Sequence, residues 1–334
     1  MACSECVMSV DLSIIIVNWN TKDLLKQCLY SLRKHCGGPR NEIIVVDNAS
    51  GDGSAEMVQN RFPEVKLMEA GTNLGFGRAN NLAIPYSTGK HVLFLNPDTI
   101  MLKGTTEKMI KFIQDNPGVG ALGCKMKSPA DSHLPDAEAH TLGLQWFPSL
   151  LTELFSILFL TDSTIQVFKK FLPYHDPTKS GYVVKLFGGC FMVRREVLES
   201  VGSFDERFFM YGEDGDLSRR IVNAGWKLYY MSEAEIIHMV GKASEKAGRS
   251  FSFIMKCESI CKYMDKYYGT KGKLLYTWII FWGALFRLVV LLGLRIISFI
   301  ITPLKKINYK HGFEKNLTLI KWSLHLSKLD VRQS

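Results

Sequence analysis

Short apolar runs alternate with amphipathic stretches along the first third of the chain. Four runs are rich in β-branched or aliphatic residues and are bounded by polar or glycine-containing segments, which predicts strands. They lie at Leu12–Val17, Glu42–Asp47, Val65–Met68 and His91–Leu95. Because strands that alternate with helices are typical of a mostly parallel sheet, the pattern predicts an α/β fold.

Helices are expected between these strands. Apolar side chains recur at helical spacing from Leu24 to Leu32, and the glycine-containing turn before Ser54 predicts the start of a second helix. Two further helices should begin near Gly75 and Gly104.

The second half of the chain has fewer clear elements. Leu186–Arg194 has the composition of a strand, and Asp214–Ala224 has the periodicity of a helix, with Gly225 as its stop. Three residues of that helix should face the core: Leu217, Ile221 and Ala224.

Two segments are more apolar than a soluble domain needs, at Leu142–Leu172 and Leu274–Pro303. The longest charge-free stretch of the second runs from Leu274 to Phe286, and as a helix it extends roughly 20 Å, less than the roughly 30 Å of a bilayer core. We therefore expect helices that lie in the membrane interface. A buried pair of core helices and a re-entrant or spanning hairpin are the alternatives.

The net charge of +9 is concentrated at the C-terminus. Residues 256–334 contain 14 Lys/Arg and 4 Asp/Glu, whereas residues 1–255 are close to neutral. A basic tail suits nucleic acid or anionic lipid, and the apolar runs within this one favour lipid. We expect no nucleic-acid partner.

The eight cysteines are expected to be reduced thiols, because the first apolar stretch is too short for a signal peptide. Zinc binding by the Cys3/Cys6 or Cys257/Cys261 pair is an alternative, but no further ligand completes either site.

Polar residues end the first two predicted strands, Asn18 after the first and Asp47 at the second. Because the carboxyl ends of parallel strands share the edge at which open α/β sheets bind ligands, Asp47 can accept hydrogen bonds from a nucleobase or a ribose there. A turn or N-cap role for Asp47 is the alternative.

Two further clusters suit a diphosphate. Small and polar residues from Asn73 through Gly75 to Asn80 lie at a loop-to-helix junction, where a helix N-terminus favours phosphate. Asn96 and Asp98 follow the fourth strand, and two oxygen donors two residues apart should face one side and suit Mg²⁺ or Mn²⁺. A simple turn at this Asn-Pro-Asp sequence is the alternative.

The last cluster, from Asp205 to Asp216, contains five acidic residues within twelve positions. Gly188 and Gly189 precede it, and Glu213 and Asp214 lie at the predicted start of a helix, where a carboxylate is stabilised and can act as a general base. Asp216 has the position of an N-cap residue.

In this order, the clusters resemble the family 2 glycosyltransferases with the GT-A fold, especially the rhamnosyltransferase-like branch of bacterial surface polysaccharide synthesis. The resemblance covers about residues 11–245. It implies an inverting transfer from a nucleotide sugar, with dTDP-rhamnose as the expected donor and a glycan or lipid-linked glycan as the acceptor. The location it implies is the cytoplasmic face of the inner membrane.

The resemblance also implies roles for single residues. Asp47 would contact the nucleobase, Asp98 and His238 would bind Mn²⁺ or Mg²⁺, and Asp214, within the Glu213-Asp214 pair, would be the catalytic base. Asn96 stands where many relatives have Asp. The other residues expected at the nucleotide sugar are Asn18, Asn73, Gly75, Asn80, Asn96, Gly188, Gly189 and Lys242.

The expected domains are a tail at residues 1–10, a GT-A domain at 11–255 and a basic membrane-associating region at 256–334. Within the GT-A domain, residues 11–125 would form the nucleotide-binding half and 126–255 the acceptor half. A catalytically inert nucleotide-sugar-binding protein is one alternative function. A dinucleotide-dependent oxidoreductase is another, but the turn after the first strand lacks the glycines it needs.

Overall fold

The computed structural model describes most of the chain, in two compact units. Unit 1 comprises Met1–Phe147 and Leu172–Lys246, and unit 2 comprises Pro148–Phe171 and Ala247–Ser334. The functional domain boundaries expected from the sequence stay a prediction. The described residues are 10–36, 40–129, 145–159, 173–239, 249–301 and 310–325.

Strands and helices alternate in unit 1, and helices alone form the described part of unit 2. The strands are β1 (Leu12–Asn18), β2 (Asn41–Asp47), β3 (Lys66–Glu69), β4 (His91–Leu95), β5 (Thr99–Met101), β6 (Val119–Lys127), β7 (Gly181–Val183), β8 (Cys190–Arg194) and β9 (Lys227–His238). The helices are α1 (Lys22–His35), α2 (Ser54–Arg61), α3 (Phe76–Ala83), α4 (Thr105–Asp115), α5 (Leu150–Phe159), α6 (Arg195–Val201), α7 (Glu213–Asn223), α8 (Arg249–Ile301) and α9 (Lys310–Ser323).

The nine strands of unit 1 form one mixed sheet in the order β3-β2-β1-β4-β8-β6-β9-β5, with β7 paired to β9. The first four strands of this order are parallel, as the sequence predicts. β8 then pairs antiparallel with both β4 and β6, and β6 is parallel to β9. The predicted α/β fold class is confirmed, with its parallel strands concentrated in the N-terminal half.

Apolar side chains cover both faces of the parallel strands. In β1, Ile14 and Ile16 pack into one core and Ile15 and Val17 into the other. A strand that is buried on both faces needs apolar residues at successive positions, which explains its unbroken aliphatic sequence. The burial of both faces leaves the strand ends as the positions at which polar side chains meet.

Two details of the second half differ from the prediction. The strand β8 begins at Cys190 instead of Leu186, because the backbone of Gly188 and Gly189 bonds to groups outside the sheet. The side chain of Ala224 is exposed because α7 ends at Asn223. Gly225 does stop the helix, with a φ of 87°.

Unit 2 has its own apolar core, formed mainly by residues of α8 and α9. Of the first long apolar segment predicted from the sequence, residues 145–159 are described and contain α5, whereas residues 142–144 and 160–172 lie outside the described residues. The second segment belongs to α8, which bends at Gly269, where φ is 67°. Among the described residues, one helix, Ser252–Ile296, is long and apolar enough to cross a membrane.

Candidate active site

The ends of β1 and β2 meet in a network of hydrogen bonds. Asn18 and Asp47 lie opposite each other in the register of the two strands, and Asn18 Nδ2 donates to Asp47 Oδ1 at 3.0 Å. The backbone N–H of Ser50 donates to Asp47 Oδ2 at 2.8 Å, and Thr21 Oγ1 donates to Asn18 Oδ1 at 2.6 Å. The carboxylate of Asp47 is therefore held in one orientation at the sheet edge.

Asn48 joins this network to the loop before α3. Its Nδ2 donates to Asn73 Oδ1 at 2.8 Å, and its Oδ1 accepts from the backbone N–H of Leu74 at 2.8 Å. These two bonds hold the loop before α3 at the end of β2. The sequence predicts that this loop lies near a diphosphate. Asn48 is not among the site residues that the sequence predicts, although it directly follows Asp47.

Gly75 is required by the packing of the chain itself. Its φ is 79°, and a Cβ at this position would lie 2.2 Å from the backbone oxygen of Phe209. The N–H of Phe76 donates to that same oxygen at 2.8 Å. Asn80 is buried in α3, where its Nδ2 donates to the Phe76 carbonyl at 2.9 Å. The predicted contact of this segment with phosphate stays a prediction.

Asp98 and His238 lie together beyond the end of β4. Their side chains are buried, and His238 Nε2 is 3.1 Å from Asp98 Oδ1. The expectation that Asn96 and Asp98 share a strand face was wrong, because β4 ends at Leu95 and the chain turns at Pro97. It is instead the pairing of β5 with β9, with Thr99 opposite His238, that brings Asp98 and the histidine together.

These two residues fit a divalent cation. A carboxylate oxygen and an imidazole nitrogen are both metal ligands, and the buried Nδ1 of His238 has no hydrogen-bond partner within the described part of the chain. No group of three or more His, Cys, Asp or Glu side chains that could hold a metal occurs in that part. A cation held by Asp98 and His238 would therefore need further ligands beyond the described side chains. Lys242 lies outside the described residues.

Asp214 lies in the first turn of α7 and is oriented by backbone groups. The N–H of Gly188 donates to its Oδ2 at 3.0 Å, and the N–H of Gly215 donates to its Oδ1 at 2.7 Å. A Cβ at Gly188 would lie 3.4 Å from Asp214 Cβ, an ordinary van der Waals contact. The backbone before β8 therefore packs against the start of α7 and holds the carboxylate in place.

The two adjacent carboxyl groups of this turn have different surroundings. Burial raises the pKa of Glu213 to about 8, with a further contribution from the neighbouring charge of Asp214. Its Oε2 is buried without a hydrogen-bond partner in the described structure. Burial also raises the pKa of Asp214, but the N–H groups of Gly188 and Gly215 oppose this shift. At neutral pH, Glu213 is therefore the protonated member of the pair.

Asp216 has a structural role. It is fully buried and accepts from Arg220 Nε at 2.9 Å, one helical turn away. The Arg220 guanidinium also donates to the carbonyl oxygens of Val201, Gly202 and Ser203. The N-cap position expected for Asp216 was wrong, because Gly212 precedes the helix. The ion pair instead fixes α7 to the loop that follows α6.

Backbone hydrogen bonds connect the segment of the candidate metal ligand Asp98 with the Glu213–Asp214 pair. The N–H of Asn96 donates to the carbonyl of Gly189 at 3.1 Å, and the N–H of the preceding residue, Gly188, donates to Asp214 Oδ2. The N–H of Phe76 reaches Phe209 in the loop before α7. All four sequence clusters therefore belong to one connected region at the carboxyl ends of β1, β2 and β4.

This arrangement combines three chemical capabilities. Asp47 offers an acceptor to a nucleobase or ribose, Asp98 and His238 offer ligands to a cation, and Asp214 offers a partly desolvated base. Such a set matches group transfer from a nucleoside diphosphate, in which a leaving group is stabilised while a nucleophile loses a proton.

Comparisons with known proteins agree with this chemistry. A family model described as "Glycosyl transferase family 2" matches residues 13–202. A second, described as "N-terminal domain of galactosyltransferase", matches residues 176–242. Together they include every predicted site residue.

Two relatives are similar over about two thirds of this chain. N-acetylglucosaminyl-diphospho-decaprenol L-rhamnosyltransferase of Mycobacterium tuberculosis is 30% identical over 249 residues, which are 68% of this chain and 75% of the relative. Rhamnosyltransferase WbbL of Escherichia coli is 29% identical over 233 residues, 67% of this chain and 82% of the relative.

Solved structures share the fold. The mannosyltransferase PcManGT of Pyrobaculum calidifontis, in complex with GDP-Man and Mn²⁺, superposes with a TM-score of 0.58 at 17% identity and covers 96% of this chain and 89% of its own. GalNAc-T7 with UDP, GalNAc and Mn²⁺ superposes with a TM-score of 0.51 at 15% identity, over 69% of this chain and 43% of its own. Both similarities concern the fold.

Proposed function

We propose a donor, an acceptor and residue roles for this chain on the premise that it belongs to glycosyl transferase family 2, whose model matches more than half of its length. The chain is an inverting glycosyltransferase with the GT-A fold, as the sequence resemblance predicted. Its proposed reaction moves L-rhamnose from dTDP-rhamnose to a lipid-linked glycan in cell-envelope polysaccharide synthesis. The names of both rhamnosyltransferase relatives support this choice of sugar.

The proposed residue roles are best supported by the two adjacent carboxyl groups at the start of α7, which differ in their surroundings and in their pKa values. Asp214 is oriented by two N–H groups and is the member that ionises first, whereas Glu213 stays protonated at neutral pH. Two titratable groups whose surroundings separate their pKa values are a common basis for acid–base roles. We assign Asp214 as the base. Glu213 would be a positioning residue that stays neutral beside it and affects the reaction only through Asp214.

The proposed step is a single displacement. An acceptor hydroxyl gives its proton to Asp214 and attacks the anomeric carbon, while the bond from that carbon to the diphosphate breaks. Asp47 and Asn18 would orient the nucleoside, and the segment around Gly75 would lie near the diphosphate. A Mn²⁺ or Mg²⁺ ion held by Asp98 and His238 would stabilise the charge that the diphosphate gains.

The acceptor and location follow from the relatives and from unit 2. The Mycobacterium tuberculosis relative is named for a decaprenol-linked acceptor, and unit 2 contains a helix apolar enough for a membrane. We infer that the chain works at the cytoplasmic face of the inner membrane, where an undecorated lipid-linked sugar would be available to a nucleotide-dependent enzyme.

The test separates chemistry from binding. The purified full-length chain is given a panel of nucleotide sugars, with and without a polyprenyl-diphosphate-linked N-acetylglucosamine, and nucleoside diphosphate release is measured. We expect acceptor-dependent release with dTDP-rhamnose, its loss in Asp214→Asn, and unchanged dTDP binding by calorimetry in that variant. Asp115→Asn, an exposed carboxylate at the end of α4, is the matched control.

Two outcomes would contradict the proposal. Activity retained in Asp214→Asn would assign the base elsewhere. Tight dTDP-sugar binding by the wild-type chain without turnover for any acceptor would favour an inert nucleotide-sugar-binding protein instead.

A further inference from the structure

The part of α8 after Gly269 has two apolar faces, and one of them is exposed. Tyr276, Ile280 and Ala284 point into the core of unit 2. The residue two positions before each of these lies about 200° away around the helix, on the opposite face. That exposed face, which we call the outer stripe, consists of Leu274, Trp278, Trp282, Phe286 and Val289, each between 54% and 61% exposed.

The outer stripe is too large and regular to be an incidental set of surface side chains. Trp278 and Trp282 are stacked with ring centroids 6.4 Å apart. Monomeric proteins rarely expose continuous apolar surface of this kind, and such patches mark protein or membrane contacts. Aromatic side chains with polar edges are especially common at membrane interfaces. The outer stripe is therefore expected to contact a partner or a membrane.

The charge of the sequence segment that contains the outer stripe favours lipid. Between Asp265 and Glu314 the sequence contains no acidic residue but eight basic ones. A second copy of the chain, placed stripe to stripe, would bring two such segments together, which like-charge repulsion disfavours. An anionic lipid surface attracts the same segment. The basic residues are Lys266, Lys271, Lys273, Arg287, Arg295, Lys305, Lys306 and Lys310.

The neighbouring helix decides between lying on the bilayer and crossing it. α9 runs along the same part of α8: Trp322 packs on Tyr276 with ring centroids 6.3 Å apart, and Gly312 packs against Leu291. α9 also carries exposed Glu314. If α8 crossed the bilayer, α9 and its charges would enter the hydrocarbon with it, which is strongly unfavourable.

We propose that unit 2 binds the surface of an anionic bilayer with the outer stripe inserted among the lipid headgroups and the part of α8 after Gly269 parallel to the membrane plane. The inserted face is apolar and the opposite face is occupied by α9, as an interfacial helix requires. This inference specifies the membrane contact of the proposed function. It is tested by vesicle binding, so it can fail while the transferase assignment stands.

The first experiment measures binding of the full-length chain to vesicles by flotation. We expect binding to phosphatidylcholine vesicles that contain phosphatidylglycerol and much weaker binding without it. Trp278→Ser with Trp282→Ser should reduce the partition coefficient at least about tenfold, since two inserted aromatic side chains are lost. The matched control is Tyr86→Ser, which removes a similarly exposed aromatic side chain (55%) from unit 1.

Unchanged vesicle binding by the double variant would overturn the proposal, and so would equal binding to neutral vesicles. Donor hydrolysis by the same double variant shows whether the fold of unit 1 is intact. If the wild-type chain binds vesicles but does not hydrolyse the donor, only the proposed function is contradicted. Concentration-dependent dimers that protect the outer stripe would assign it to a second copy.

A second experiment measures depth, and it does not depend on the double variant folding. Tryptophan is introduced by Leu274→Trp, Phe286→Trp or Ile296→Trp, and its quenching by lipids brominated at shallow or deep positions is compared with the parent chain. Leu274 and Ile296 are separated by roughly 33 Å along a helix. Equal shallow quenching of all three reporters supports the parallel placement. Deep quenching of only the Phe286→Trp reporter would show a spanning helix.

Discussion

Replacing Glu213 with glutamine tests the claim that this side chain is neutral in the folded protein. Glutamine has nearly the same shape and cannot ionise. Burial raises the pKa of Glu213 to about 8 from an ordinary value of 4.5, and Asp214 is the adjacent charged group. In the unfolded chain the carboxyl is ionised above its ordinary pKa, whereas in the folded chain it keeps its proton until the higher pKa. Glutamine should therefore be tolerated at low and neutral pH.

The difference in stability between the two proteins must then depend on pH. Between pH 4.5 and about 8, the folded wild-type chain binds one more proton at Glu213 than the unfolded chain does. As the pH rises, the contribution of Glu213 to the free energy of unfolding consequently falls by about 1.4 kcal/mol per pH unit. The contribution is complete below the unfolded pKa and is lost as the pH rises through the folded one. Glu213→Gln lacks this loss, so its relative stability should rise by roughly 3 kcal/mol over two pH units.

The assay is urea unfolding of both full-length proteins in the same detergent at several pH values between about 5 and 8. Other titrating groups are common to both proteins and cancel in the difference. Glu107→Gln, which removes an exposed glutamate from the first turn of α4, controls for loss of a helix-terminal charge. A difference between wild type and Glu213→Gln that is constant with pH would refute a protonated Glu213. So would a difference that moves in the opposite direction.

Three further predictions concern neighbouring positions. Asp98→Ala should lower transferase turnover at least about 10²-fold and remove its dependence on added Mn²⁺, measured by nucleoside diphosphate release with and without chelator. Asp216→Asn should lower the free energy of unfolding by about 3 kcal/mol, measured by urea titration, because Arg220 loses its buried partner; unchanged stability would contradict the structural role. Gly75→Ala should lower it by at least about 2 kcal/mol, because the added Cβ meets Phe209; a neutral substitution would show that the loop has room.

The parallel half of the sheet was predictable because its strands are buried on both faces. Such strands have unbroken aliphatic sequences, and β4 was predicted with its observed bounds, His91–Leu95. The strand β9 escaped prediction because polar and apolar residues are mixed along Lys227–His238. Its pairing with β6 also contains a register shift beside Cys124, which interrupts any regular alternation. Local periodicity therefore describes the strands of a doubly covered sheet better than the irregular ones.

The candidate site was predictable in its motifs and their order, but not in its contacts. The pairing of Asp98 with His238 joins residues 140 positions apart, and it depends on the antiparallel contact of β5 with β9. Gly75 was expected to make room for phosphate, yet the closest atoms to it belong to Phe209. Sequence spacing indicates which residue types are available, whereas such long-range contacts follow from tertiary packing.

The loops at this edge contain three non-glycine residues in the left-handed region, which indicates a site shaped before any ligand arrives. Asn20, Ala49 and Tyr211 have φ values of 54°, 63° and 67°. Each such residue costs about 1–3 kcal/mol and persists only where surrounding contacts require it. Around Asn20 those contacts are a bond from its N–H to Ser50 Oγ and one from Gly51 to its Oδ1. The strain is thus concentrated where β1, β2 and the start of α7 present the proposed nucleoside and base residues. A site organised in this way keeps its donors and acceptors in place, so that less ordering is left for substrate binding to accomplish.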